Sequence, residues 1–281
     1  MLKYFTTLKK DEIYSLALGG FDGMHKAHLE LERRIQKDGV LFVIDKGYAS
    51  LTPGTFRCQY TKNGCVFVNL DDIKDLNANQ FVLFLKKEFC NLKKIVVGYD
   101  FRFGKNKEAN GDFLKKFFEE VDIVKEIKVN NISVHSKKIR ELLKKGNIKL
   151  ANSLLARDYN VVGQVIKGQG IGKKKLFATL NLSTNFFLPK DGVYVVAVEI
   201  NKIKYKGVAF IGKRVSLDNN FAFEVHLIDT FLENTPKQIE VFFKDFIREN
   251  KKFTSLALLK KQIQSDIDVA NKFFDDIENI G

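Results

Sequence analysis

The feature that most restricts the fold is a change in the spacing of apolar runs near residue 158. Before it, runs alternate with amphipathic stretches. Residues 13–18, 40–44, 66–68, 95–97 and 121–129 read as strands. Between the first two, Leu29, Leu31 and Ile35 fall among Lys26, Glu30, Glu32, Arg33 and Arg34, the mix of an amphipathic helix. Asn79 can cap a helix through Phe81, Leu85 and Phe89, and a lysine-rich helix is expected from Asp112. Residues 136–145 and 148–156 read as two short helices parted by Gly146 and Asn147. Such alternation predicts a Rossmann-type α/β domain with a parallel sheet, whose ligands sit beyond the carboxyl ends of its strands. After Asp158 come runs at 159–166, 192–200, 205–211, 222–228 and 239–246, with no helix before 255–274. Consecutive strands without crossover helices predict an antiparallel sheet or β-barrel, followed by a C-terminal helix. The expected domains are residues 1–157 and 158–281.

No apolar run reaches the roughly 18 residues of a membrane-spanning helix, and residues 1–6 carry no signal-peptide core. Cys58, Cys65 and Cys90 do not make a disulfide framework. A cytoplasmic location away from membranes is therefore expected. The net charge of +13 is uneven: residues 1–157 hold 29 Lys+Arg against 19 Asp+Glu, the remainder 18 against 15. That excess suits a polyanion such as ATP. Nucleic acid is the competing polyanion, but the tract Lys173-Lys174-Lys175 is too short to argue for RNA, and a nucleic-acid partner is not expected. Oligomeric state stays open.

Behind the first expected strand lies "GGFDGMHKAH", Gly19 to His28. It reads as a strand, a glycine turn and a helix start, where free N–H groups and the helix dipole favour phosphate. Gly19, Gly20 and Gly23 allow a tight turn and close approach to a ligand. His25 and His28, at i and i+3, can share one face of the first helical turn and donate to phosphate oxygens. Two such histidines can equally be surface residues or half a metal site, though no cysteine or carboxylate cluster has zinc-ligand spacing.

Over nearly its full length the chain resembles the bacterial bifunctional riboflavin kinase/FAD synthetases. "GGFDGMHKAH" resembles the family's G-x-F-D-G-x-H-x-G-H turn through Phe21, Asp22, Gly23, His25 and His28, with Ala27 in place of a glycine. "VGYDFRFG" resembles its G-x-D-F-x-F-G loop through Gly98, Asp100, Phe101, Phe103 and Gly104. "VHSKKIR" stands where the family has I-S-S-T-x-I-R; Ser136, Ile139 and Arg140 match, while His135 and Lys137 replace a serine and a threonine. "DKGYASLTPG" stands in place of a histidine-and-proline-rich loop. "GQGIGKKKLFATLNL", with Gly168 and Gly170, resembles the glycine-rich loop before the P-T-A-N signature; Thr179 and Asn181 match, Ala178 and Leu180 do not. "FEVHLID" resembles the strand of the catalytic glutamate, here Glu224, and Arg248 matches a flavin-proximal position.

The resemblance implies a nucleotidyltransferase-like domain over residues 1–157 that turns FMN and ATP into FAD and pyrophosphate. It implies a riboflavin kinase barrel over residues 158–281 that makes FMN from riboflavin and ATP. His25 and His28 are then catalytic. Gly19, Phe21, Asp22, Gly23, Gly98, Asp100, Phe103, Gly104, Ser136, Lys137, Arg140, Gly168 and Gly170 bind nucleotide, as do Thr179 and Asn181, which also hold Mg²⁺. Glu224 is the general base and Arg248 touches the flavin. A monofunctional riboflavin kinase with a degenerate first domain, or a basic RNA-binding protein on this scaffold, are the alternative readings.

Overall fold

A computed structural model of the chain describes residues 2–47, 51–166, 177–215 and 219–279. Packing divides the chain into two compact units, Met1–Lys138 and Ile139–Gly281.

In the first unit, β1 (Lys3–Phe5), β2 (Ser15–Gly19), β3 (Gly39–Asp45), β4 (Cys65–Asn69), β5 (Lys94–Gly98) and β8 (Glu120–Val124) form one sheet in the order β1-β4-β3-β2-β5-β8. All neighbours are parallel except β1, which runs antiparallel to β4. The central strands are buried on both faces, which is why they read as unbroken apolar runs. Leu16 and Leu18 point to one core with Phe42, Phe81 and Leu85; Ala17 points to the other with Phe21, Leu31, Leu41 and Phe67. Helices α1 (Lys26–Arg34), α2 (Leu70–Ile73), α3 (Ala78–Glu88) and α4 (Gly111–Leu114) connect the strands. The strand order reverses at β2, which pairs with β3 on one side and β5 on the other. The crevice beyond the carboxyl end of β2 is thus the topological switch point.

Several boundaries differ from the sequence reading. The cap of α3 is Asn77, whose side chain accepts from Gln80 N–H while the Gln80 side chain accepts from the Asn77 N–H, a reciprocal capping box that Asn79 cannot make. The lysine-rich helix is a single turn, α4, because the chain must bury Leu114 and Phe118 and enter β8 by Glu120. The strand expected over 121–129 stops at Val124; Lys128 and Val129 form β9 (Lys128–Val129), paired with β10 (Ile132–Ser133). A ribbon of β6 (Arg102–Phe103) and β7 (Ala109–Asn110) occupies the loop after β5.

Helix α5 (Ser136–Lys144) runs across the division, and α6 (Ile148–Leu155) belongs to the second unit. There β11 (Tyr159–Ile166), β12 (Leu180–Ser183), β13 (Gly192–Ile200), β14 (Ile203–Lys213), β15 (Phe221–Leu227) and β16 (Gln238–Arg248) close a six-stranded antiparallel barrel in the order β11-β12-β15-β14-β13-β16. Strand β12, absent from the sequence reading, completes it. Inside, Tyr159, Tyr194 and Phe223 pack round Phe243. The first five residues of β13 are all buried, since α7 (Leu256–Glu278) covers its outer face with Ile267 and Ala270.

Candidate active sites

Beyond β2 the chain turns sharply, with Phe21 (φ 52°), Gly23 (φ 87°) and Met24 (φ 39°) all left-handed. Glycine adopts this freely; Phe21 and Met24 are held there by burial, at 0% and 1% exposure. His25 is the N-cap of α1, a place usually taken by Ser, Thr, Asp or Asn. Its Nδ1 accepts from the His28 N–H at 3.4 Å, which leaves Nε2 as the ring nitrogen that carries the proton. The His25 and His28 rings stack with centroids 3.6 Å apart, and the Phe21 ring lies 5.1 Å from His28. The pKa of His28 is held well below the ordinary histidine value, first by burial and then by the charges of His25, Arg57 and His135. At neutral pH it is an uncharged ring.

A second loop clasps this turn. Thr52 Oγ1 accepts from the Gly23 N–H at 2.7 Å, and Asp22 Oδ1 accepts from the N–H groups of Leu51 and Thr52 at 3.0 and 3.1 Å. Ser136 Oγ donates to the Asp22 carbonyl at 2.7 Å. Asp22 and Phe21 therefore shape the turn from within, while the histidines and the start of α1 form its face. Lys137 follows Ser136, exposed, and Arg140 comes one turn later on α5.

At the carboxyl end of β5, Gly98 precedes exposed Tyr99 and Asp100. His135 Nε2 is 3.2 Å from Tyr99 Oη, and its Nδ1 is 3.9 Å from Asp100. So His135 ties the β5 end to the start of α5. Phe103 faces the core, 5.2 Å from Phe81, and Gly104 (φ 75°) turns the chain against the start of α3. Both fix the loop.

In the barrel, Asn181 on β12 lies directly opposite Glu224 on β15. Thr179 precedes β12, and the Ala178 carbonyl is 2.8 Å from His226 Nδ1. Glu224 Oε1 accepts from Arg214 Nη1 at 3.2 Å, the two side chains being 20% and 14% exposed. Gly168 and Gly170 lie outside the described residues. Arg248 pairs both Nε and Nη2 with the buried Asp266 carboxylate, at 2.8 and 2.7 Å, and so binds β16 to α7. Thr52, Arg214, His226 and Asp266 contact motif residues or their neighbours, and Arg57 holds Thr52; the sequence motifs single out none of the five.

Comparison with known proteins assigns each unit. A riboflavin kinase family model matches residues 155–274, and an FAD synthetase model residues 62–141. Curated relatives include proteins named bifunctional riboflavin kinase/FMN adenylyltransferase. That of Buchnera aphidicola (strain APS) is 32% identical, covering 92% of this chain and 93% of its own. That of Escherichia coli K12 is 30% identical, covering 92% of each, and that of Mycoplasma pneumoniae 29% identical, covering 92% and 97%. A crystal structure described as a macrolide-efflux protein from Streptococcus pneumoniae superposes with a TM-score of 0.83 at 28% identity, covering 95% of this chain and 99% of that one. Among the described residues no helix is long and apolar enough to cross a membrane.

Proposed function

The chain belongs to the bifunctional riboflavin kinase/FMN adenylyltransferase family, and on that premise we propose how its residues divide two reactions. The protein phosphorylates riboflavin to FMN with ATP, and adenylylates FMN to FAD with release of pyrophosphate.

Residues up to about 157 carry adenylyl transfer. An oxygen of the FMN phosphate attacks the α-phosphorus of ATP, and pyrophosphate leaves. The ATP phosphates lie at the start of α1, where the His25 Nε2–H and the uncharged His28 ring hydrogen-bond the oxygens on which charge develops. Gly19, Phe21, Asp22 and Gly23 give the turn its shape. Gly98, Asp100, Phe103 and Gly104 form the neighbouring wall, and Ser136, Lys137 and Arg140 contribute from α5.

The barrel carries phosphorylation. Glu224 takes the proton of the ribityl 5′-hydroxyl as its oxygen attacks the γ-phosphorus, and ADP leaves. Thr179 and Asn181 offer hard oxygen donors beside a carboxylate, a set that fits Mg²⁺. When bound, the ion offsets charge on the ATP phosphates. Gly168 and Gly170, outside the described residues, serve nucleotide binding in the same reaction. Arg248 acts on the flavin side through its grip on α7. A cytoplasmic location, without membrane or nucleic-acid partner, goes with these soluble substrates.

The observation that carries the kinase assignment is the pairing of Asn181 with Glu224 across two barrel strands. The test of both activities is incubation with riboflavin, ATP and Mg²⁺ and chromatographic separation of FMN from FAD. Both should form; FMN alone would leave a monofunctional kinase.

A further inference from the structure

Arg57 belongs to none of the sequence motifs, yet it is 1% exposed and lies under the loop that clasps the histidine turn. Its Nε donates to the Thr52 carbonyl at 3.2 Å, and Nη2 donates to Asp45 Oδ1 at 3.2 Å. The guanidinium lies 5.9 Å over the Phe67 ring. Its other terminal nitrogen, Nη1, is buried and has no hydrogen-bond partner among the described residues. Thr52 in turn holds the Gly23 N–H through its hydroxyl and Asp22 through its own N–H. One residue therefore separates this guanidinium from the turn that carries His25.

For stability alone this is a poor arrangement. A buried cation with one carboxylate partner and an idle N–H is under-compensated, and an apolar side chain would pack as well on Phe67. The arrangement makes sense if the charge and the fork act on the site. We propose that Arg57 is a positioning residue for adenylyl transfer, holding the Thr52 loop in register with the histidine turn and setting a fixed positive charge behind it. This rests on the reading of the first unit as the adenylyl-transfer site. The charge acts on His28 together with the other titratable groups that face it, His25 from the same turn and His135 from the start of α5. With Arg57 in place, His28 stays uncharged while its surroundings remain positive toward phosphate.

The test uses the full chain with Arg57→Met, Arg57→Lys and Thr52→Val. FAD formation from supplied FMN, FMN formation from riboflavin, and the NMR titration of the His28 ring are read on each protein. In Arg57→Met, kcat/KM for FAD formation should fall about 10- to 100-fold, the range of a lost hydrogen-bonded charge. Riboflavin phosphorylation should not change, and His28 should titrate at higher pH than in wild type. Arg57→Lys keeps the charge without the fork; it should restore the His28 titration and part of the activity. Thr52→Val should lower FAD formation and leave the titration where it was. Wild-type FAD formation in Arg57→Met overturns the proposal, as does a loss with the His28 titration unmoved, which would make Arg57 a scaffold residue only. If Arg57→Met does not fold, Thr52→Val decides: lowered FAD formation with intact kinase activity upholds the tie, and unchanged FAD formation overturns it. A wild type that makes FMN but no FAD would instead refute the adenylyl-transfer reading, and this inference with it.

Discussion

Replacing Glu224 by glutamine keeps the side chain's shape but removes a proton acceptor and the charge that faces Arg214. Glu224 is held from both sides of β15, opposite Asn181 on β12 and Phe210 on β14. Its Oε1 accepts from Arg214 Nη1 at 3.2 Å. A glutamine oxygen can accept the same bond, but the Arg214 guanidinium loses the charge that offsets it, so the contact survives at a cost in stability. What the amide cannot do is take the hydroxyl proton as the 5′-oxygen attacks. A positioned general base contributes about 10²–10⁴ in rate, equal to about 2.7–5.4 kcal/mol of barrier at 1.36 kcal/mol per decade. We expect kcat for FMN formation to fall by that factor, with KM for riboflavin within about threefold, since the lost interaction belongs to the transition state. The assay is FMN formation from riboflavin, ATP and Mg²⁺, followed by chromatography. FAD formation from supplied FMN, measured on the same sample, should match wild type, and circular dichroism with a melting curve checks the fold of the barrel. A kcat within about threefold of wild type in the folded variant refutes Glu224 as the base.

Three further outcomes follow from the geometry. Lys137→Ala should lower kcat/KM for FAD formation by about 10- to 150-fold if its ammonium meets a phosphate and leave the kinase untouched; a silent Lys137→Ala beside a defective Arg140→Ala would put that contact on the arginine alone. Because burial, His25, Arg57 and His135 hold His28 below its ordinary value, the unfolded chain binds that proton more readily, so folding stability should fall as pH drops below about 6.5; melting curves from pH 7.5 to 5.5 should show this in wild type and less in His28→Gln, and parallel curves would refute it. Fragments beginning at residues 139 and 158 should both make FMN, but the shorter should melt lower. It loses Asn152, whose side chain donates to the Phe243 carbonyl at 2.9 Å and accepts from the Tyr159 N–H at 2.8 Å, and equal melting temperatures would refute that.

The parallel sheet and the antiparallel pairing of the second unit were legible because burial on both faces leaves apolar runs, and because consecutive strands without crossover helices pair antiparallel; the order β11-β12-β15-β14-β13-β16 was not, since partners such as β12 and β15 are far apart in sequence. What escaped was set by partners distant in sequence. Strand β1 exposes two of its three residues and exists because Lys3, Tyr4 and Phe5 meet Phe67, Val66 and Cys65. Strand β12 is four residues long and is specified by closing the barrel between β11 and β15. The α3 cap was misplaced at Asn79 although the signal for it is local: Asn77 and Gln80 stand at capping-box spacing, and Asn79 does not have that partner.

The sites divide in the same way. The histidine turn announces itself because its residues are contiguous, whereas its supports come from loops about thirty residues downstream. Residue type still carried a signal. The chain has eight arginines against thirty-nine lysines. Where lysine supplies ordinary surface charge, an arginine marks a place that needs a planar fork or a cation tolerant of burial. Arg57, Arg214 and Arg248 answer that description: each is under 20% exposed and each meets a carboxylate within 3.2 Å. Arg33 and Arg34, more exposed and paired with Glu30 along α1, do not. Those three guanidiniums stand behind the histidine turn, on Glu224, and between β16 and α7. In this lysine-rich chain three of the eight arginines thus sit where a planar fork meets a carboxylate in poorly exposed surroundings, a signal that residue type alone carries.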